Sequence, residues 1–265
     1  MSKNKTISKN LRINILQLSH QAKSSHIGGC LSIVEILTIL YNNILRGFSL
    51  RKKKFKDTFI LSKGHACLAL YCMLYEKKIL GKKTLFSYGK NNSLLMSHAS
   101  HHVPGVKFST GSLGHGLPVA IGSALAAKIE KKNRKIYVLI SDGELNEGTT
   151  WESLMFAAHH KLDNLFVIID YNKLQSLTFV SSTIKLEPLV KKIRSFGCEV
   201  KNVNGHNISK LKRAFAFKTK NKPRVVIANT IKGKGISFME NNIAWHYKSP
   251  NFLELSKALK EVNDA

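Results

Sequence analysis

Two apolar runs, each closing on a polar turn, constrain this chain more than any other feature. The first is Lys135-Ile136-Tyr137-Val138-Leu139-Ile140 and ends on Ser141-Asp142-Gly143. The second is Leu165-Phe166-Val167-Ile168-Ile169 and ends on Asp170-Tyr171-Asn172. Residues 149–160 between them read as a helix, so the unit is strand, loop, helix, strand. A right-handed crossover makes such strands parallel and brings their C-terminal ends to one edge of the sheet, where open α/β sheets bind ligands. Asp142 and Asn172 would then offer two hard oxygens to one divalent cation, Mg²⁺ or Ca²⁺. Mg²⁺ completes its shell with phosphate oxygens and water, so the spacing suggests a metal–diphosphate site. A lone Asp-Gly after a strand is ordinarily just a turn; it is the pairing that points to a site.

The rest of the chain continues the alternation. Helical periodicity runs through 11–21, 33–45, 66–75 and 117–129, with further helices expected at 187–195 and 208–217. Strand-like runs fall at 58–61, 136–140, 165–169, 198–203 and 224–228. The order predicts an α/β fold, a doubly wound and mainly parallel sheet with helices on both faces. There is no internal repeat, and residues 88–109 form the longest irregular stretch, an expected functional loop. At 265 residues the chain fits one domain, expected to span 1–265.

No apolar run approaches the length of a membrane span, and Met1-Ser2-Lys3-Asn4-Lys5 lacks the apolar core of a secretory signal. Four cysteines (Cys30, Cys67, Cys72, Cys198) form no Cys-x-x-Cys pair and read as reduced, partly buried thiols, which predicts a cytoplasmic protein. The formal charge of +26 would suit a polyanion partner. The positive residues are scattered, however, as at Arg51 to Lys54, Lys131-Lys132, Lys191-Lys192 and Lys218 to Lys222. A chain this rich in Lys, Asn and Ile fits the mutational bias of an AT-rich genome. Attraction of phosphorylated substrates or of an acidic partner chain is a secondary benefit.

Several of the eleven histidines sit beside glycine in loops rather than on apolar helix faces. Imidazole there can donate or accept a proton near neutral pH. Gly111-Ser112-Leu113-Gly114-His115-Gly116 precedes a helix, where small residues let backbone approach a ring or a phosphate. The run His98-Ala99-Ser100-His101-His102 lacks any partner at a spacing that zinc would need.

The segment from Ser141-Asp142-Gly143-Glu144-Leu145-Asn146-Glu147-Gly148 through Asp170-Tyr171-Asn172-Lys173-Leu174-Gln175 resembles the thiamine-diphosphate signature of transketolases. The likeness runs from about Leu11 to Asn251 and is closest to the stand-alone N-terminal half of bacterial split transketolases. Supporting stretches are Ser25-His26-Ile27-Gly28-Gly29, Leu61-Ser62-Lys63-Gly64-His65-Ala66, Pro104-Gly105-Val106, Ser109 to Gly116, Lys232-Gly233-Lys234-Gly235 and Ala244-Trp245-His246. The resemblance implies that Asp142, Asn172 and the Leu174 carbonyl hold the metal. It implies that His65, Gly111, Ser112, Leu113, Gly143, Asn172 and His246 contact the cofactor. His26 and His98 would face sugar hydroxyls and, with His246, share proton transfers. Glu147 and Glu152 match acidic residues near the family's subunit interface, with helix-start electrostatics as their plainer explanation. His101, His102, His159, His160 and His206 are read as ordinary hydrogen-bonded histidines.

Three positions depart from the family pattern: Ser141 for glycine, Ile27 for proline and His115 for glutamine. A larger departure concerns the carboxylate that activates thiamine diphosphate from its aminopyrimidine side. In transketolases it belongs to a second, pyrimidine-binding domain, and too few residues follow His246 to build one. The resemblance therefore implies half an enzyme, paired as α2β2 with a C-terminal subunit. Together they would move a two-carbon ketol unit between ketose and aldose phosphates, as in the pentose phosphate pathway. Two other readings stay open: a deoxyxylulose-phosphate-synthase-like or 2-oxoacid-using subunit, and a basic nucleic-acid-binding protein on a retained enzyme fold. Nucleic acid has only charge in its favour, and no membrane association is expected.

Overall fold

The computed structural model describes residues 3–49, 51 and 55–264. Met1 and Ser2 of the basic N-terminus, and Lys52, Lys53 and Lys54 of the basic run, lie outside the described residues. The chain opens with helices α1 (Lys3–Ala22), α2 (Ile27–Leu31) and α3 (Val34–Ile39), the last running into a π turn at Leu40–Ile44. Strand β1 (Thr58–Leu61) leads to α4 (Cys67–Glu76), α5 (Lys82–Leu85) and α6 (Gly116–Ile129). Next come β2 (Ile136–Ser141), α7 (Gly148–His159), β3 (Leu165–Tyr171), α8 (Val180–Thr183) and α9 (Leu189–Ser195). Last are β4 (Glu199–Asn204), α10 (Ile208–Ala216), β5 (Arg224–Asn229) and α11 (Phe252–Asp264).

The five strands pair in the order β1-β2-β3-β5-β4, and every pairing is parallel. Because side chains alternate across a strand, each strand feeds two apolar layers. Phe59, Leu61, Tyr137, Leu139, Phe166, Ile168, Val226 and Ala228 point into one layer, with α1, α3, α4, α10 and α11. Ile60, Val138, Ile140, Val167, Ile169, Val225 and Ile227 point into the other, with α6, α7 and α9. The doubly wound expectation holds. In α10 the buried positions Leu211, Ala214 and Phe215 fall three and four residues apart, one face of a helix. Its entry is capped by Asn207, whose side chain accepts from the Lys210 N–H at 2.9 Å. Burying Leu211 and Phe215 contributes about 1.5–3 kcal/mol each.

The sequence reading placed all five strands but missed α2, α5, α8 and α11 and started α1 late. The 33–45 periodicity is one continuous coil only in part, since the last turn widens at Leu40–Ile44. Residues 88–109 are irregular, as expected, and the four cysteines are free and buried.

At the N-terminal edge of the sheet, Asp57 ties β1 to β2. Its carboxylate accepts from Arg46 Nη2 at 2.7 Å, Arg46 Nε at 2.9 Å, the Arg46 N–H at 3.0 Å and the Lys135 N–H at 3.0 Å. Burial opposes ionisation, but these donors outweigh it and hold the carboxyl below the usual range. A depressed folded pKa gives stability that is present above the unfolded pKa of about 3.9 and lost as pH falls through the folded value. Denaturant midpoints of Asp57→Asn should therefore lie below wild type by about 1.5–3 kcal/mol at neutral pH. The gap should close only as pH falls through the depressed folded value, where the aspartate too becomes neutral; a gap that does not narrow at all as the acid range is descended would refute the assignment.

Candidate functional site

The C-terminal edge of the sheet carries a cavity of about 200 Å³. Its walls come from the loops after β1, β2, β3 and β5, from the start of α2, and from the segments around His98, Gly111 and His246. Of the residues singled out in the sequence, His26, His65, His98, Gly111, Leu113, Asp142, Gly143, Asn172, Leu174 and His246 all line it. Ser112 is exposed and does not, because the loop turns its side chain outward between Gly111 and Leu113.

The oxygens proposed for a cation converge here. Asp142 Oδ1 accepts from the Gly143 N–H at 2.9 Å, and Oδ2 from the Lys173 N–H at 2.6 Å. Each oxygen keeps a further lone pair. Asn172 donates its amide to Asp170 at 3.1 Å, which fixes the flip and turns Oδ1 toward the Leu174 N–H at 3.0 Å. The Leu174 carbonyl accepts from Lys232 Nζ at 3.2 Å. Burial, then the neighbouring Asp170 charge, push the Asp142 carboxyl up to about 7. A cation beside it would favour the ionised form. Two side-chain oxygens and a carbonyl are the hard donor set that Mg²⁺ or Ca²⁺ takes. Gly29, Gly111 and Gly143 face the cavity with no neighbour nearer than 3.6 Å to where a Cβ would sit, leaving backbone open to a close-fitting group. The residues present fit a metal-bound diphosphate.

Four imidazoles crowd the cavity. His26 lies 5.3 Å from His65, 5.8 Å from His98 and 5.0 Å from His246, centroid to centroid. Burial, then His98, Lys232 and Lys63, lower His26 to about 4. Burial, then Lys232, His26 and Lys63, lower His246 to about 3, and burial followed by Lys63 holds His65 well below the usual range. These three rings are neutral at pH 7. Lys232 Nζ donates to His246 Nδ1 at 2.8 Å, so that ring carries its proton on Nε2 and offers a donor to the cavity. His26 adopts left-handed backbone, φ 71°, and its N–H donates to the His246 carbonyl at 2.6 Å, tying the two segments together. A non-glycine residue held there is strained, as functional positions often are.

Sequence reasoning assigned no role to five side chains that organise the site. Lys63 forms a buried ion pair with Asp170 at 2.6 Å. Asp170 also accepts from Ser32 at 2.7 Å, from Asn172 and from Thr230. Glu144, fully buried, accepts from Ser62, from the Gly114 N–H at 3.2 Å and from the Ser141 N–H at 2.8 Å, so one carboxylate pins three loops. Ser141, where the family pattern has glycine, fits because its hydroxyl donates to Glu144 at 3.3 Å. Lys232 reaches the cavity from the loop after β5, with burial lowering it to about 8. The signal for Lys63 and Lys232 was present in the quoted stretches: each lysine precedes a glycine just past a strand.

The other departures are benign: Ile27 is fully buried in the core, and the exposed His115 bonds the Leu113 carbonyl at 2.8 Å. Glu147 and Glu152 are exposed on α7 and its entry. His206 bonds Glu35 and the Ile231 N–H, while His159 ends α7 rather than lying in a loop.

The family model described as "Transketolase, thiamine diphosphate binding domain" matches residues 3–252. The chain is 45% identical over 243 residues to one subunit of the apulose-4-phosphate transketolase of Actinobacillus succinogenes, covering 90% of this chain and 88% of that one. It is 38% identical over 230 residues to a 6-deoxy-6-sulfo-D-fructose transketolase subunit of a Clostridium species, covering 83% and 82%. The fold superposes on transketolase from Leishmania mexicana with a TM-score of 0.91 at 24% identity, covering 99% of this chain but 42% of that one.

Proposed function

The chain belongs to the transketolase family through its thiamine-diphosphate-binding domain, and we propose that it forms the cofactor-diphosphate half of a split transketolase. The observation that carries this reading is convergence: ten residues named from sequence line one cavity at the edge where parallel sheets bind ligands. Asp142, Asn172 and the Leu174 carbonyl would hold Mg²⁺, or Ca²⁺ in its place. Gly111, Leu113 and Gly143 would lie against the cofactor, with His65 and His246 nearest its diphosphate. When bound, thiamine diphosphate supplies the electron sink for breaking the carbon–carbon bond beside a ketose carbonyl.

The chain's own contribution is positioning and hydrogen bonding. Neutral His26 and His246, together with His98, would hold sugar hydroxyls and pass protons between oxygen atoms. The carboxylate for the aminopyrimidine ring would come from a C-terminal partner subunit, in an α2β2 assembly whose substrates are ketose and aldose phosphates. The relatives are named as subunits, which supports a partner. Free buried cysteines support a reducing compartment such as the cytoplasm, and no described helix is long and apolar enough to cross a membrane.

The test is reconstitution. Purified chain with thiamine diphosphate, Mg²⁺ and a ketose–aldose phosphate pair should show no turnover until a C-terminal subunit is added. Turnover by the chain alone would sink the split reading; a preference for pyruvate over ketose phosphates in the complex would replace transketolase chemistry with 2-oxoacid chemistry.

A further inference from the structure

Lys232 enters the cavity on a short strap, and both ends of that strap are tied to one carboxylate outside the site. Glu35, in α3, is buried and does not line the cavity. Its Oε1 meets Arg12 Nη2 at 2.7 Å, and its Oε2 meets His206 Nδ1 at 2.8 Å. Arg12 in turn donates through Nε to the Lys234 carbonyl at 3.0 Å. His206 Nε2 accepts from the Ile231 N–H at 2.8 Å. That bond requires a bare Nε2, so Nδ1 carries the proton and donates to Glu35. Between the two anchors the Gly233 N–H donates to the Gly28 carbonyl at 2.9 Å, and the Lys232 ammonium reaches the Leu174 and Gln175 carbonyls and His246.

We propose that Glu35, acting through Arg12 at one end and His206 at the other, is a positioning residue that latches residues 231–234 and thereby fixes the Lys232 ammonium in the cavity. None of the three touches the proposed ligand. They act by denying the strap the freedom to withdraw a charge that would otherwise swing on a long flexible stem. Arg12 comes from α1, Glu35 from α3 and His206 from the loop between β4 and α10, so the latch couples three distant segments to one side chain. The inference rests on the proposed function only where it concerns the cofactor; the latch itself is a property of the free chain.

The experiment has two arms. In the free chain, amide exchange of Ile231 and labelling of Lys232 by an amine-reactive reagent are compared for wild type, Glu35→Gln, His206→Leu and His206→Gln. Both rates should rise in the first two variants. They should stay near wild type in His206→Gln, whose amide keeps one donor and one acceptor. In the complex with a partner subunit, Mg²⁺–thiamine diphosphate affinity is measured for Glu35→Gln with and without Lys232→Met. Glu35→Gln should weaken binding about 10-fold in the wild-type background and leave it unchanged once Lys232 is methionine. An equal loss in both backgrounds would mean that Glu35 serves general stability only, and unchanged exchange and labelling would remove the latch. If the wild-type complex binds no cofactor, the proposed function falls, and the free-chain arm still decides the latch.

Discussion

Asp142→Ala should abolish Mg²⁺-dependent binding of thiamine diphosphate, with affinity falling more than about 100-fold while the far-ultraviolet dichroism stays unchanged. Outer-shell substitutions around a metal already cost about 10- to 100-fold, and Asp142 would be a direct ligand. It is also the one ionisable group among the three oxygens assigned to the cation, the others being an amide and a main-chain carbonyl. Of its two backbone partners, Gly143 lines the cavity and Lys173 lies between the lining residues Asn172 and Leu174, so water can satisfy them in the variant. Asp142→Asn keeps an oxygen acceptor without the charge and should fall between the two. Calorimetry at fixed cofactor and varied Mg²⁺ measures all three proteins. Wild-type affinity in the alanine variant would mean that the diphosphate is held elsewhere.

The second large effect is on stability and lies directly beneath that site. Asp170→Ala leaves the Lys63 ammonium buried, with only the Gly29 carbonyl at 3.3 Å as partner. Breaking a buried pair from one side typically costs about 3–5 kcal/mol because the survivor is a charge without compensation. For a chain of this length, that lowers the melting temperature by between about 6 and 20 °C. The alanine also strands the Thr230 hydroxyl, leaves the Ser32 hydroxyl with the Gly29 carbonyl at 3.0 Å, and frees the Asn172 amide. Pairing the change with Lys63→Met removes both charges, and the double variant should recover much of the loss. Thermal unfolding of the two single variants and the double variant decides it. If the double variant is as unstable as the sum of the singles, the pair is not the source of the loss.

Elements whose signal is local were legible in the sequence. Each strand is an apolar run ended by a turn, and the strand-loop-helix-strand unit from β2 to β3 implied the parallel arrangement that the two strands adopt. The site residues were legible mainly through the family resemblance; of those named, Asp142, Gly143 and Asn172 also follow directly on the ends of β2 and β3. What escaped depends on partners far along the chain. Asp170 reads as part of a turn until Lys63 is seen against it, and Glu144 reads as surface charge until Ser62 and Gly114 close over it. Helix α11 buries little beyond Ala258 and Val262, with Leu255 and Leu259 half-covered. Its apolar stripe is real but thin, and two of its apolar residues, Phe252 and Leu253, stay exposed. That Ser112 is exposed and outside the cavity lining, while Gly111 and Leu113 line it, could not be read from the motif, which fixes residue types but not which way each faces.

The strand order bears on how the chain is made. β5 sits between β3 and β4, although it follows both in sequence. As a nascent chain leaves the ribosome, β3 therefore waits with one hydrogen-bonding edge open, and β4 has no strand beside it, until Arg224–Asn229 emerges. The open edge belongs to Phe166–Tyr171, the apolar strand that also bears Asp170. Late insertion of a central strand exposes such an edge to other growing chains. For this protein the interval between synthesis of β3 and synthesis of β5 is the period in which a chaperone has the most to protect.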